Sequence, residues 1–118
     1  MENITDHLIE LDKARYVQTF RRYPLVLKKG LGAKVWDIEG KEYIDMLAGI
    51  AVNNIGHCHP TVVKAIQKQA ATLIHISNFY LSEPQVHLAD KVVELSGMSR
   101  VFFSNSGAES VGGAIKFA

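Results

Sequence analysis

The sequence predicts an α/β protein that ends in an incomplete strand–turn–helix unit. Three observations support this fold class: a β-hairpin pattern over residues 33–46, apolar residues that recur every three or four positions, and a short apolar run that leads directly into the last helical pattern. A chain of 118 residues has room for one domain at most. Because a strand followed by a crossover helix needs a second parallel strand, we expect the natural fold to continue past residue 118.

The first predicted element is a helix that extends to about residue 17. Ile4, Leu8 and Leu11 recur at helical spacing, and either Asn3 or Thr5 can cap the first turn. Basic and aromatic residues follow the helix, but they share no single face and the whole chain has a formal charge of only +1. We therefore expect no nucleic-acid surface in this segment.

A β-hairpin is predicted next, over residues 33–46. β-forming residues stand on both sides of Glu39 and Gly40, and Gly40 supplies the positive φ of the turn. We interpret the carboxylates of Asp37 and Glu39 as solvated turn residues and not as an acid–base pair. Gly30 and Gly32 do not indicate a dinucleotide-binding loop, because the third glycine is absent and a strand follows where that loop requires a helix.

Two further helices are predicted over about residues 60–73 and 83–96. Pro60 and Pro84 stand in their first turns, Ser82 is placed to cap the second helix, and Gly97 is placed to end it. Three residues of metal-binding types precede the first of these helices, with no matching cluster elsewhere in the sequence; they are His57, Cys58 and His59. We interpret that segment as a turn that enters the helix.

The last predicted unit is a strand over residues 100–103 and a helix from Gly107 onward. At the junction, Ser106, Gly107 and Ala108 can offer backbone N–H groups and the positive end of a helix dipole to a phosphate. Ser106 and Glu109 also match a capping box, in which their own side chains satisfy such N–H groups, and both interpretations stay open. Two glycines follow in the helix, at 112 and 113, and each weakens it by about 1 kcal/mol relative to alanine.

The amino-acid composition and the motifs of the chain exclude several classes of protein. The lone Cys58 excludes an internal disulfide and favours a cytoplasmic protein. The N-terminus lacks a signal-peptide pattern, and the longest apolar run, residues 46–52, is far below the roughly 20 residues that span a bilayer. The sequence contains neither a nucleophile-elbow motif nor a Walker lysine loop, and local patterns alone identify no catalytic residue.

Several motifs in the same order resemble one enzyme family. They are GAKVWDIEGKEYID at 32–45, GIAVNNIGHCHP at 49–60, SNFY at 77–80, EPQ at 83–85 and VFFSNSGAE at 101–109. Together they are similar to the amino-terminal part of class III pyridoxal-phosphate aminotransferases, over nearly the whole chain, and most similar to the acetylornithine subfamily. The resemblance implies an N-terminal fragment of a fold-type I transferase that depends on pyridoxal 5′-phosphate.

The same resemblance implies roles for particular residues and regions. Ser106, Gly107 and Ala108 bind the cofactor phosphate, residues 1–75 form an N-terminal arm and part of a small domain, and residues 76–118 begin the cofactor-binding large domain. The family's Schiff-base lysine and the acidic partner of the pyridine nitrogen come from a region further downstream. Lys116 is no substitute, because it lies about two and a half turns from the phosphate end of its helix.

The expected identity of the amino donor depends on Gly49. Related ornithine aminotransferases have a bulky aromatic residue at this position, and a glycine leaves room for an acylated amino acid. The resemblance therefore implies transfer of an amino group from N-acetylornithine, or a similar ω-amino acid, to 2-oxoglutarate in arginine biosynthesis, by a homodimer of which this fragment alone is inactive. The alternatives are an ornithine-type or 4-aminobutyrate-type aminotransferase, and a non-catalytic interaction module that retains the ancestral segment.

Overall fold

The computed structural model describes residues 3–118, which divide into two compact units, one ending at Thr72 and one spanning Leu73–Ala118. The first unit contains α1 (Ile4–Arg15), β1 (Leu27–Leu31), β2 (Lys34–Asp37), β3 (Glu42–Ile44), α2 (Ala48–Ala51) and α3 (Pro60–Ala70). The second contains α4 (Glu83–Ser96) and α5 (Gly107–Phe117). Over residues 3–118, every helix is too short or too polar to cross a membrane.

Helix α1 confirms the predicted cap and ends slightly early. The Asn3 side chain accepts a hydrogen bond from the Thr5 N–H at 3.0 Å, which satisfies one of the first-turn donors. The helix stops at Arg15 because Tyr16 has an extended backbone, with φ −94° and ψ 141°. Beyond the helix the chain folds back on it, and Nη1 of Arg22 lies 2.9 Å from Oδ1 of Asp12 in α1.

The predicted hairpin is confirmed as β2 and β3, and β1 extends it to a three-stranded antiparallel sheet in the order β1-β2-β3. Val35 lies opposite Gly30 on β1 and Tyr43 on β3. It is 7% exposed and is the one buried apolar residue among those that the structure describes. The sequence did not predict β1, because LKKGL lacks the alternation of apolar and polar residues that indicates a half-buried strand.

Asp37 corrects our interpretation of the hairpin carboxylates. Its side chain is not solvated, since the residue is only 9% exposed. Oδ1 accepts hydrogen bonds from the N–H groups of Glu39 at 3.0 Å and Lys41 at 2.8 Å, and Oδ2 accepts one from the Tyr43 hydroxyl at 2.8 Å. The carboxylate thus organises the turn between β2 and β3, as short polar side chains do in Asx turns.

The hydrogen bond between Tyr43 and Asp37 predicts how both groups titrate. It holds the pKa of Asp37 below its ordinary value of 3.8 and raises the pKa of Tyr43 above 10.0. A carboxyl group with a lowered pKa in the folded state contributes stability above its unfolded pKa, and this contribution is lost as the pH falls through the folded pKa. The hairpin should therefore lose support from Asp37 only at pH values below about 3.8.

Tyr43→Phe removes this hydroxyl and should raise the pKa of Asp37. The shift should be incomplete, because the N–H groups of Glu39 and Lys41 still stabilise the ionised carboxylate. A carboxyl-carbon NMR titration of wild type and variant measures the change, and Asp45 serves as the internal control that should not move. An unchanged Asp37 titration would show that the hydroxyl does not contribute.

In the second unit, α4 spans the predicted residues, but its predicted N-terminal cap does not form. Gly97 ends the helix in the left-handed conformation, with φ +69°, as glycine at this position commonly does. Ser82 occupies the N-cap position, but its side chain makes no cap hydrogen bond, so that part of the prediction is wrong. The Ser82 carbonyl accepts the N–H of Val86 at 3.0 Å and begins the helical ladder.

The predicted strand at residues 100–103 is also wrong. This run forms no strand in the structure, and over residues 3–118 no strand pairs with it. An extended apolar run becomes a strand only when a neighbouring strand satisfies its backbone groups. Phe102 instead packs edge to face on Phe117, with ring centroids 5.8 Å apart, and a Cβ on Gly113 would lie 3.3 Å from Phe102 Cε1. This contact gives Gly113 a packing role within α5.

Candidate functional site

The junction that precedes α5 forms a variant of the predicted capping box, in which Glu109 binds the N–H of Asn105 and not that of the N-cap residue Ser106. Ser106, the N-cap residue, has an extended backbone, and its Oγ accepts the N–H of Glu109 at 3.2 Å. The Glu109 side chain turns back, and its Oε2 accepts the N–H of Asn105 at 2.7 Å. The two side chains therefore satisfy two backbone donors at the start of the helix.

The capping box leaves donors free at the same turn. No acceptor from residues 3–118 pairs with the N–H of Gly107 or of Ala108, the first two residues of α5. Ser106 Oγ acts as an acceptor toward Glu109, which leaves its own proton for a ligand. A Cβ on Gly107 would meet nothing within 4 Å, so the approach to these donors is open.

This donor set suits a phosphate group. Two N–H groups, one hydroxyl and the positive end of the helix dipole converge where α5 begins, and a phosphate presents oxygen acceptors and negative charge. The capping box and the anion site, which the sequence left as alternatives, are compatible in this geometry because they use different donors. Glu109 is the one acidic side chain in the first turn, and its carboxylate is engaged with Asn105.

Two serines that the sequence analysis did not single out support this turn. Ser104 Oγ lies 2.6 Å from Ser110 Oγ, and the Ser110 hydroxyl donates to the carbonyl of Ser106 at 3.1 Å. These contacts tie the residues before the cap to the first turn of the helix. The available signal was the repeated hydroxyl residues at 104, 106 and 110, which bracket the cap.

Gly49 lies in the other unit, within α2, which is a single turn of left-handed conformation. Its φ and ψ are 63° and 38°, and the remaining residues of the turn also have positive φ: Ala48 (49°), Ile50 (58°) and Ala51 (63°). A Cβ on Gly49 would lie 3.6 Å from Asn53 Nδ2. The structure thus brings Ser106, Gly107 and Ala108 together in one turn, and it places Gly49 in the separate unit that ends at Thr72.

Two side chains that are hydrogen-bonded to each other flank this left-handed turn, one before it in the sequence and one after it. Asp45 Oδ2 lies 2.6 Å from His57 Nε2, and Asp45 Oδ1 accepts the N–H groups of Leu47 and Ala48, both at 2.9 Å. The hydrogen bond from His57, followed by those from the two N–H groups, holds the pKa of Asp45 below its ordinary value. His57 is therefore engaged with a carboxylate, and because its backbone forms a bridge with Gly32, the predicted turn into α3 begins only at Cys58.

Comparisons with known proteins agree with these motifs. Residues 16–118 match the family model described as aminotransferase class-III. The chain is 59% identical over 113 residues to the acetylornithine aminotransferase of Methanocaldococcus jannaschii, covering 96% of this chain and 28% of that protein. The chain therefore spans less than a third of this curated relative's length.

Solved structures show the same similarity in three dimensions. The chain matches an acetylornithine aminotransferase from Elizabethkingia anophelis with a TM-score of 0.88 at 36% identity, over 95% of this chain and 29% of the other. It matches an ornithine aminotransferase from Toxoplasma gondii with a TM-score of 0.89 at 34% identity, over 98% of this chain and 27% of the other.

Proposed function

This chain belongs to the class III aminotransferases, and we propose that it forms the part of such an enzyme that binds the phosphate of pyridoxal 5′-phosphate and contributes to the amino-donor site. One observation carries the proposal: Gly107 and Ala108 leave two backbone N–H groups unpaired beside the Ser106 hydroxyl. The enzymes of this family depend on pyridoxal phosphate, and the donor set fits its phosphate group.

In this role the residues of the chain bind the cofactor and orient it. The N–H groups of Gly107 and Ala108 and the hydroxyl of Ser106 would hold the phosphate, and the serine hydrogen bonds link this turn to the residues before it. Holding the phosphate fixes one end of the cofactor and so restricts the position of its ring. When bound, pyridoxal phosphate supplies the electron sink for amino-group transfer.

We assign the amino donor as N-acetylornithine or a similar ω-amino acid and the acceptor as 2-oxoglutarate, within arginine biosynthesis. The names of similar proteins support the donor, and so does Gly49, which places no side chain in its part of the first unit. The ornithine-type alternative has support in the Toxoplasma gondii structure. The two donors differ by an acyl group, so a residue that limits space distinguishes them.

The proposal treats the chain by itself as inactive. The family's Schiff-base lysine lies downstream of the motifs found in this sequence, and Lys116 is nine residues from Gly107, or roughly 14 Å along the axis of α5. Residues 1–75 are assigned to the arm and small domain, and residues 76–118 to the start of the cofactor-binding domain. The proposed location is the cytoplasm, on the basis of the single unpaired Cys58.

We further propose that the enzyme is a homodimer that binds an amino acid and a 2-oxo acid and no nucleic acid. Many large apolar side chains are open to solvent, and those more than four-fifths exposed include Tyr23, Met46, Phe79 and Leu81. Exposed apolar surface of this extent is typical of surfaces that other protein segments cover. The near-neutral charge of +1 argues against a nucleic-acid partner.

Titration with pyridoxal phosphate tests the phosphate site in the 118-residue chain. Amide NMR signals of Gly107 and Ala108 should shift in a saturable manner, and Gly107→Asp should weaken the binding at least tenfold, which corresponds to about 1.4 kcal/mol. The added carboxylate would occupy the open space before the helix and repel the phosphate.

Two controls separate the site from nonspecific lysine chemistry. Gly112→Asp adds the same charge to the same helix, where a Cβ would also meet open space, and should leave the binding unchanged. Pyridoxal lacks the phosphate and should not shift the two amides. Equal responses to pyridoxal and pyridoxal phosphate, or indifference to Gly107→Asp, would contradict the proposed site and indicate only nonspecific imines with lysine side chains.

A further inference from the structure

The left-handed turn of α2 and the Asp45–His57 pair form one connected structure. We propose that Asp45 and His57 are positioning residues that hold Ala48–Ala51 in the left-handed conformation and thereby fix the location of Gly49. The relevance of that location to a substrate rests on the proposed function. The positioning itself rests only on the geometry of the first unit.

The residues of the turn do not by themselves favour the left-handed conformation. For L-amino acids other than glycine, the left-handed conformation costs roughly 1–2 kcal/mol per residue, and Ile50 is β-branched, for which positive φ is particularly rare. The internal hydrogen bonds run from Ala51 N–H to the Leu47 carbonyl at 3.1 Å, and from the N–H groups of Val52 and Asn53 to the Ala48 carbonyl, the latter at 2.9 Å. Bonds between such pairs close a turn of either hand, so the hand must be set by contacts outside the turn.

Asp45 supplies such a contact at the point where the chain enters the turn. Its Oδ1 accepts both Leu47 and Ala48 N–H groups at 2.9 Å, which aims two consecutive peptide planes at one oxygen. Ala48 is the first residue of the turn with positive φ. The carboxylate therefore fixes the backbone direction immediately before the left-handed residues.

His57 fixes the position of Asp45 relative to the sheet. The backbone of His57 pairs with Gly32, with N–H to carbonyl distances of 2.8 and 2.9 Å, so the residue is anchored beside β1. Its ring fills the space next to Gly30, where a Cβ would come within 2.7 Å of His57 Cγ. From this anchored ring, Nε2 reaches Asp45 Oδ2 at 2.6 Å.

These contacts form a continuous path from the sheet to the turn. Asp45 is bound on one oxygen by a side chain that is fixed to β1, and its other oxygen binds the backbone that enters α2. Asp45 is 16% exposed at its side chain and His57 is 23% exposed, so water competes little for these bonds. Removing either end of the path should release the turn to the ordinary right-handed or extended conformations.

NMR on the 118-residue chain tests the inference without any enzymatic assay. Intraresidue N–H to Hα distances and coupling constants report positive φ directly at Ala48, Ile50 and Ala51. We expect Asp45→Ala to remove these signatures and Asp45→Asn to retain most of them, because the asparagine Oδ1 still accepts the two N–H groups and its Nδ2 can donate to His57 Nε2. Asp6→Ala, at an exposed position on α1, is the matched control and should change nothing.

A pH titration adds a second readout that a general loss of packing would not reproduce. In wild type the positive-φ signatures should fade as the pH falls through the lowered pKa of Asp45, below its ordinary 3.8, and in Asp45→Asn they should be independent of that ionisation. Amide signals of Val35 and Tyr43 report in parallel whether the sheet remains folded.

The outcomes distinguish this inference from the proposed function. Persistence of the left-handed signatures in Asp45→Ala would overturn the inference, and so would their loss in Asp45→Asn while the sheet signals remain. Failure of the pyridoxal phosphate titration would count against the proposed function only, because the turn is measured here without cofactor or substrate. His57→Gln tests the second residue, and an unchanged turn in that variant would remove His57 from the path.

Discussion

Replacing Gly49 with tyrosine is expected to lower the rate with N-acetylornithine by roughly 10- to 100-fold more than the rate with ornithine. The ring would fill space that an acyl group needs and that the smaller donor leaves empty. The measurement requires a complete enzyme, for which we suggest the Methanocaldococcus jannaschii relative with its matching region replaced by this chain. The ratio of kcat/KM for the two donors is the quantity to compare.

The backbone at this position requires a matched control. Gly49 has φ +63°, so any side chain there is strained whatever its size. Gly49→Ala carries this backbone cost without the ring and should reduce both rates to a similar extent. Equal losses with the two donors in Gly49→Tyr would exclude a role for Gly49 in accommodating the acyl group.

Gly56→Ala should lower the free energy of unfolding of the first unit by about 2–4 kcal/mol. Gly56 has φ +92°, and a Cβ there would lie 3.0 Å from Gly32 Cα. Backbone atoms cannot rotate away as a side chain can, so the pairing of Gly32 with His57 would have to open.

Gly40→Ala isolates the part of this cost that arises from the backbone conformation alone. Gly40 has nearly the same φ, +89°, but a Cβ there would meet nothing within 4 Å. Its cost should be about 1 kcal/mol. Denaturant unfolding followed by the fluorescence of Trp36, the single tryptophan, measures both variants. Equal costs would show that no close contact limits Gly56.

The elements predicted correctly are those whose signals are local. Asn3 caps α1 through a bond to a residue two positions away, and Gly97 ends α4 because its own φ is positive. The turn at Gly40 joins two strands that are adjacent in the sequence. Each of these features depends on a few consecutive residues, so the sequence contains the relevant information.

The elements that were missed depend on partners distant in the sequence. Residues 100–103 resemble a strand by composition, but a strand needs a neighbour, and over residues 3–118 none pairs with them. The opposite error occurred at β1, whose irregular pattern hides a strand that pairs with β2. Asp37 was interpreted as solvated because a charge in a turn usually is, but it is buried and accepts hydrogen bonds from two backbone N–H groups and the Tyr43 hydroxyl.

The candidate site also contains both kinds of feature, those formed by consecutive residues and those that depend on distant contacts. The N–H donors of Gly107 and Ala108 could be predicted because consecutive residues form them, and their role in binding a phosphate stays a prediction. The left-handed turn around Gly49 was not predicted, since Ala48, Ile50 and Ala51 rarely adopt positive φ by themselves. Its conformation depends on contacts that the sequence pattern does not display.

The chemistry of the groups at the start of α5 sets how an anion would be held as acidity changes. Ser106, Gly107 and Ala108 offer a hydroxyl and two amides, none of which gains or loses a proton near neutrality. A site built from such groups keeps its affinity for an anion where a site built from histidine or lysine would change affinity as those side chains gain or lose a proton. Any variation around neutral pH would then come from the ligand, whose phosphate dianion takes up a proton near pH 6.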